Sequence, residues 1–283
     1  MLHIKIKKEK DYMSNFQELI ALIEVSDFEN ADTLCSELRS NAMHDENLKE
    51  LQRQIHDNLT KIRLPGPDYL EWLQWFHQDL QPTTYLEIGV ESGQSLQFVK
   101  ENTKAIGIDP APRIVHGIPA WSRLYKTTSD EFFATYDPTK IFENRIDFAF
   151  IDGLHYYDQV LRDFINIEKH CYQNSIILFH DVYPAIPATA TREWTTIYWA
   201  GDTWKIMPIL QRYRPDLKIV TIPAYPTGLS MITNLDPKST ILEHQFDSIV
   251  AEMAQVEYNS YQPINLISND FDNMQTQLKI RNI

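Results

Sequence analysis

Apolar residues recur at helical spacing from the start of the chain. In FQELIALIEV, Phe16, Leu19, Ile20 and Ile23 fall on one face of a helix. ADTLCSELRS and ENLKELQRQIHDNLTKI continue that period, and neither glycine nor proline interrupts residues 14–62. The Leu64-Pro65-Gly66-Pro67 run then breaks the helical stretch. After one more predicted helix, DYLEWLQWFHQDL, the period changes at Pro82. Short β-rich runs follow: TYLEIG (84–89), AIGID (105–109), RLYKT (123–127), IDFAFID (146–152), SIILFHD (175–181), LKIVTI (217–222) and GLSMIT (228–233). Helical segments fall between most of them, around residues 95–100, 130–136, 157–170 and 204–213.

Strands that alternate with helices predict right-handed βαβ units, hence an α/β, doubly wound, mostly parallel sheet of seven strands. The last two strands are separated only by Pro223 to Thr227, too short for a helical crossover, so they are expected to pair antiparallel. The organisation expected is a helical extension over 1–62, a sheet domain over 63–235 and a tail over 236–283. The extension reads as an oligomerisation arm, a lid, or a hairpin packed on the core.

Composition narrows the classes. Length 283 suits one medium α/β domain with an extension. With 26 Lys+Arg against 39 Asp+Glu, the formal net charge is −13, which argues against non-specific nucleic-acid or anionic-membrane partners. Two cysteines, Cys35 and Cys171, are too few for a disulfide framework and point to a reducing, cytoplasmic setting. No signal-peptide pattern and no membrane-length apolar run is present. Glycine is scarce, eight in all, and Gly89, Gly93, Gly107, Gly117 and Gly153 crowd into one stretch. Backbone turns and close ligand approaches are expected there.

Within that stretch, Tyr85-Leu86-Glu87-Ile88-Gly89-Val90-Glu91-Ser92-Gly93-Gln94-Ser95 is the strongest signal. An apolar strand ends in an acid, two glycines let the chain turn against a ligand, and a helix is expected near Ser95. Such a loop offers free N–H groups to an anion. Asp109 ends the next strand, 22 residues after Glu87, where an acid can accept hydrogen bonds from both ribose hydroxyls. The plain alternative is that Glu87 and the glycines only shape a βα turn.

E-I-G-V-E-S-G-Q-S resembles the first motif of class I S-adenosylmethionine-dependent methyltransferases, most of all the catechol O-methyltransferase-like branch, whose pattern is E-h-G-x-x-x-G-x-S. The resemblance runs from about Tyr69 to Ile232 and implies the Rossmann-like methyltransferase fold. It also implies that Gly89, Glu91 and Gly93 line the methionine part of S-adenosylmethionine, with Glu87 in the same cofactor loop. Ser95 would hold the amino-acid carboxylate, Asp109 would bind the ribose, and Thr128, Ser129 and Asp130 would lie near the adenine.

Two further segments resemble the macrocin/mycinamicin-type O-methyltransferases, which modify sugar hydroxyls of natural products. They are Ile151-Asp152-Gly153-Leu154-His155-Tyr156-Tyr157 and Phe179-His180-Asp181-Val182-Tyr183-Pro184. In metal-dependent members the acids at Asp152 and Asp181 bind a divalent ion, and the residue at His155 is the general base. The chemistry is coherent: a hydroxyl is a weak nucleophile until a base takes its proton, and an imidazole can do so. A carboxylate-bound Mg²⁺ or another divalent metal would lower the hydroxyl's pKa. Val182 departs from the pattern, since metal-dependent members carry an acid or amide there. Either His180 compensates, or another acid does, or no metal is used. Asp152 would also border the cofactor. Asp158 and Asp163 are read as starting and decorating the following helix. The aromatic run Trp194 to Trp199 reads either as an acceptor pocket or as a packed lid.

The expected partner is a small-molecule hydroxyl acceptor, with homo-oligomerisation through the N-terminal helices. Two other readings stay open: a non-catalytic binding or scaffold protein with this fold, and a nicotinamide-dependent oxidoreductase, against which the absence of G-x-G-x-x-G counts.

Overall fold

The computed structural model describes residues 2–280 apart from Met43, Thr195 and Ile197. Three helices come first: α1 (Leu2–Glu24), α2 (Phe28–Asn41) and α3 (Glu46–Arg63). The Asp27 side chain accepts from the Asn30 N–H and so caps α2. Helix α2 packs against both α1 and α3. Ala31, Cys35, Leu38, Leu48, Ile55 and Leu59 are buried, the positions that the helical period marks. These helices and residues 196–198 form one compact unit, and the rest of the described chain forms a second.

The second unit begins with α4 (Tyr69–Leu80), whose capping box pairs Asp68 with Glu71. Then come β1 (Thr84–Ile88), β2 (Lys104–Ile108), β3 (Ser122–Tyr125), α5 (Ser129–Thr135), α6 (Pro138–Phe142), β4 (Ile146–Ile151), α7 (Tyr157–Glu168) and β5 (Cys171–His180). The order closes with α8 (Ile206–Tyr213), β6 (Lys218–Ile222), β7 (Leu229–Thr233), α9 (Ile241–His244), α10 (Phe246–Met253) and α11 (Phe271–Ile280). The strands form one sheet in the order β3-β2-β1-β4-β5-β7-β6. Strands β1 to β5 pair parallel, while β7 runs antiparallel to both β5 and β6. This is a seven-stranded, mostly parallel, Rossmann-like sheet flanked by helices, and the antiparallel pairing of the last two strands follows from the short connection.

Strand residues alternate between two cores, as the period of two requires. Leu86, Ile88, Ala149 and Ile151 face the side covered by α5, α7, α8 and α10. Tyr85, Phe148 and Phe150 face the side covered by α4 and α11. Leu242, Ile249, Met253, Met274 and Leu278 are all buried, so much of 236–283 builds the core of this unit. Residues 265–267 also lie along β6: the Thr221 N–H donates to Asn265 O at 3.2 Å and the Ile267 N–H to Thr221 O at 3.0 Å. A buried Arg214 ties the end of α7 to the start of β6, bonding Glu168 at 2.7 Å and Asp216 at 2.7 Å.

One expected helix is absent. After the glycine loop the chain makes only a single 3-10 turn, Leu96–Phe98. Ten residues run from Gln94 to Thr103 before β2 begins. As an α-helix they would rise about 15 Å, no more than the length of the strand they must return along, which leaves nothing for the turns at either end. Among the described residues, no helix is long and apolar enough to cross a membrane.

Candidate active site at the carboxyl edge of the sheet

The parallel register aligns Ile88 with Ile108 and with Ile151, and Ile151 with Phe179. Gly89, Asp109, Asp152 and His180 therefore leave or end their strands at one edge, where ligands bind open α/β sheets. Gly89 has φ +88°, and a Cβ there would lie 1.9 Å from the Asp152 carbonyl oxygen. Only glycine lets the first loop touch the fourth strand's exit. The Gly89 N–H donates to Ile108 O and the Asp152 N–H to Ile88 O, both at 2.9 Å, so three strand ends are laced together.

Asp109 organises the loop. Its Oδ2 accepts from the Val90 and Glu91 N–H groups at 3.0 and 2.8 Å, and its Oδ1 from Ala111 at 2.7 Å. Oδ2 has both lone pairs taken, while Oδ1 keeps one acceptor site open to a ribose hydroxyl. Glu91, at φ +43°, and Gly93, at φ +81°, turn the loop. Glu87 is fully buried and accepts from the Tyr85 hydroxyl at 2.7 Å and the Ser95 hydroxyl at 2.5 Å. Burial pushes its carboxyl up to about 7, although the bonds from Ser95 and Tyr85 pull the other way. The single hydroxyl proton of Ser95 is thus directed at Glu87. Thr128 caps α5 in a capping box with Glu131. Ser129 and Asp130 are both bonded by the Gln159 amide at 3.1 Å. Those three residues follow β3, two strands out from β1.

Asp152, His155, His180 and Asp181 form the second cluster. Asp181 leaves β5 at φ +60°, a conformation that non-glycine residues adopt at a cost of about 1–3 kcal/mol and that gathers at functional sites. His155 Nδ1 lies 3.0 Å from Asp181 Oδ2, and its Nε2 lies 3.5 Å from Asp152 Oδ1. Burial disfavours the charged imidazole, but Asp181 and Asp152 outweigh it and raise His155 well above its ordinary pKa. Burial likewise opposes ionisation of Asp152, and His180 and His155 more than offset it, holding the carboxyl below its usual range.

The protons of His180 follow from its partners. The Thr227 hydroxyl donates its one proton to Asp181 Oδ1 at 2.5 Å, so it can only accept from His180 Nε2, 3.2 Å away. The other nitrogen, Nδ1, faces Asp152 Oδ1 at 3.1 Å. Both ring nitrogens thus face oxygens that can accept, an arrangement that favours the charged ring. Burial works against that charge, but Asp152 and Asp181 prevail and raise its pKa. The Tyr69 ring stacks on it at 4.2 Å. With both ring nitrogens engaged in this network, His180 stands outside the group of Asp152, His155 and Asp181 whose ligand atoms converge. Val182 itself is fully buried in the hydrophobic core.

Asp152, His155 and Asp181 can each offer one ligand atom, all within 4.8 Å of one another. Asp181 Oδ2 is buried and has no hydrogen-bond partner. Two carboxylates and one imidazole, with one oxygen orphaned, fit a divalent cation.

Several contributors escaped the sequence reading. Thr227 and Tyr69 carry no motif. Asp163 is 1 % exposed instead of decorating the helix surface; it accepts from Gln159 at 3.0 Å, and burial pushes it up to about 7. In the aromatic run, Trp199 stacks on His155 and Trp194 stacks on Trp199, while Thr195 and Ile197 lie outside the described residues.

The two clusters, cofactor-type loop and acid-imidazole group, meet at Gly89 and Asp152. Residues 86–182 match the family model described as a methyltransferase domain. That segment runs from within β1 to the exit of β5 and holds the loop and acid-imidazole candidates from Glu87 to Asp181, while Tyr69, Thr227 and the aromatic run Trp194 to Trp199 lie outside it. No curated protein matches the sequence significantly. Among solved structures, the SAH-bound Podospora anserina methyltransferase PaMTH1 is 19% identical, with TM-score 0.46, over 64% of this chain and 86% of that one. TomG, an O-methyltransferase of Streptomyces achromogenes involved in tomaymycin synthesis and solved with SAM, is 14% identical, with TM-score 0.45, over 58% and 78%. The Bacillus cereus O-methyltransferase in complex with SAH is 13% identical, with TM-score 0.41, over 62% and 89%.

Proposed function

We propose that this chain is an S-adenosylmethionine-dependent O-methyltransferase of the catechol O-methyltransferase-like type. Its acceptor is a hydroxyl of a small molecule, a natural product or its sugar, as the macrocin/mycinamicin-type motifs around Asp152 and Asp181 suggest. One observation carries the reading: the Asp152/His155/Asp181 group stands at the strand edge that also bears the Gly89–Gly93 loop, in contact with it at Gly89. The methyltransferase-domain match over 86–182 supports it.

In this reading Glu87, Gly89, Glu91, Gly93, Ser95 and Asp109 bind the cofactor with Thr128, Ser129 and Asp130, and Asp152 borders it. Asp152 and Asp181 would hold a divalent cation, which would supply Lewis-acid polarisation of the acceptor oxygen when bound. His155 is the general base. The two flanking carboxylates raise its pKa, and it takes the acceptor's proton only in its neutral form. The rate is therefore expected to rise with pH through the raised pKa of His155, read from the pH profile of methyl transfer. The helices of 1–62 serve as an oligomerisation arm in a cytoplasmic protein without nucleic-acid or membrane partners.

Ser95 and Asp109 are already bonded within the chain, and this favours one second reading, a protein that keeps the fold without turnover. Calorimetric titration of EDTA-treated protein with S-adenosylhomocysteine, with and without Mg²⁺, tests the first. Binding that falls roughly tenfold or more in Asp109→Ala supports the cofactor site, since a charged hydrogen bond contributes about 1.5–3 kcal/mol. Absence of binding under both conditions refutes it. Binding without methyl transfer to any member of a broad hydroxyl panel leaves the second reading.

A further inference from the structure

The loop that carries His155 is irregular between β4 and α7, yet its imidazole is held from three sides. One of them comes from a distant part of the chain, Trp199 to Asp202. His155 Nδ1 lies 3.1 Å from the Trp199 carbonyl oxygen in hydrogen-bond geometry. A carbonyl oxygen carries no proton, so Nδ1 must be the donor. Asp181 Oδ2 is slightly closer at 3.0 Å, but the contact lacks hydrogen-bond geometry, so the Nδ1 proton is aimed at the carbonyl and not at the acid. The Trp199 ring also stacks on the imidazole, with centroids 5.3 Å apart.

The same segment grips the backbone. Gly201 has φ +61°, and a Cβ there would lie 1.9 Å from the His155 carbonyl oxygen. That oxygen accepts from the Asp202 N–H at 3.1 Å. Asp202, 3 % exposed, accepts with Oδ1 from the Tyr157 N–H at 3.0 Å, the first amide of α7, which no cap of Tyr156 satisfies. Its Oδ2 meets Arg192 at 3.3 Å, and Arg192 reaches Asp158 at 2.8 Å while lying 4.1 Å over the Tyr156 ring. Each contact fixes the loop on either side of His155.

We infer that Trp199–Asp202 is a positioning strap for His155, in which the Trp199 carbonyl keeps the proton on Nδ1 and thereby reserves Nε2 as the reacting or ligating nitrogen. Gly201 admits the strap, and Asp202 locks it to the start of α7. The inference rests on the methyltransferase reading only for what Nε2 does; the proton's place on Nδ1 is independent of it.

The test is nuclear magnetic resonance on the full chain with labelled histidine and labelled tryptophan carbonyl, using His155→Gln to assign the ring signals. The expected result is an Nδ1–H proton of His155 that exchanges slowly with solvent and couples through the hydrogen bond to the Trp199 carbonyl carbon. Asp181→Ala is expected to leave that coupling in place. Gly201→Ala and Asp202→Ala are expected to abolish it and to speed exchange roughly tenfold, the effect of losing one hydrogen bond. Asp202→Asn, which can still accept from Tyr157, is expected to restore it. Thermal unfolding of each variant separates a displaced strap from a failed fold, and Asp202→Asn against Asp202→Ala remains informative if Gly201→Ala does not fold. Loss of the slow proton in Asp181→Ala, or its survival in a folded Asp202→Ala, overturns the inference. S-adenosylhomocysteine titration of the same samples keeps the two readings apart: no binding with the Nδ1–H intact refutes the methyltransferase and leaves the strap, and the converse refutes the strap alone.

Discussion

Glu87 lies under the cofactor-type loop with its two oxygens on the hydroxyls of Tyr85 and Ser95, and those bonds do not make up for the water it has lost. Its proton is bound more tightly in the fold than in the unfolded chain, so stability falls as pH rises from the ordinary carboxylate range to about 7. The difference is on the order of 3 kcal/mol. Glu87→Gln is expected to raise the melting temperature at pH 8 and to leave it unchanged at pH 4, measured by thermal unfolding across pH. His155 and His180 have the same sign for a different reason: their raised pKa values add stability that is complete below the ordinary histidine range and is lost as pH rises through the folded values. Thr227→Val leaves Asp181 Oδ1 without its donor and His180 Nε2 without its acceptor, and is expected to cost about 1–3 kcal/mol in chemical denaturation at pH 7. At this scale the sequence was legible only where a motif spoke. Asp152, His155 and Asp181 could be singled out because each follows an apolar run at a strand end. Thr227 could not, because it enters the site from a connection between two strands that no spacing rule links to His180.

At the scale of elements, strand existence was readable because β-rich runs of five to seven residues alternate with turn residues, and all seven runs became strands. Their ends are set by neighbours instead. Strand β5 begins at Cys171, earlier than its apolar run, because Ile146 pairs with Cys171 before the register shifts to Phe148 and Ile176. The helix expected after Ser95 failed for want of chain length, a tertiary limit invisible to local propensity. Helix α4 shows local chemistry that did survive: the reciprocal Asp68 and Glu71 bonds satisfy two amides at its start. Asp68→Ala is expected to cost about 1 kcal/mol of stability by denaturant unfolding. Gly89→Ala tests the lacing of β1 to β4. With its Cβ inside the Asp152 carbonyl and φ at +88°, the substitution must displace one strand exit or the other. The expected outcome is a folded or marginal protein with lower S-adenosylhomocysteine affinity.

For the molecule as a whole, the loop and acid-imidazole residues from Tyr69 to Asp181, with Thr227, belong to the unit that starts at Leu64, whereas residues 196–198 of the aromatic run belong to the first unit. A fragment starting there is expected to unfold cooperatively and to bind S-adenosylhomocysteine with the affinity of the full chain, checked by denaturation and calorimetry. The division after Arg63 falls at the Leu64–Pro67 break in the helical stretch. The structural weight of 236–283 was not legible in the sequence, since its buried residues are spread thinly over three short helices. The strand order has a consequence for synthesis on the ribosome. Strand β6 pairs in the sheet only with β7, yet β7 is made after it and must slot between β5 and β6. Until residue 233 has emerged, β5 presents a bare hydrogen-bonding edge, and until residues 265–267 arrive so does β6. The nascent protein thus passes through a window in which an unpaired edge strand is its most adhesive surface, one that chaperones would be expected to guard.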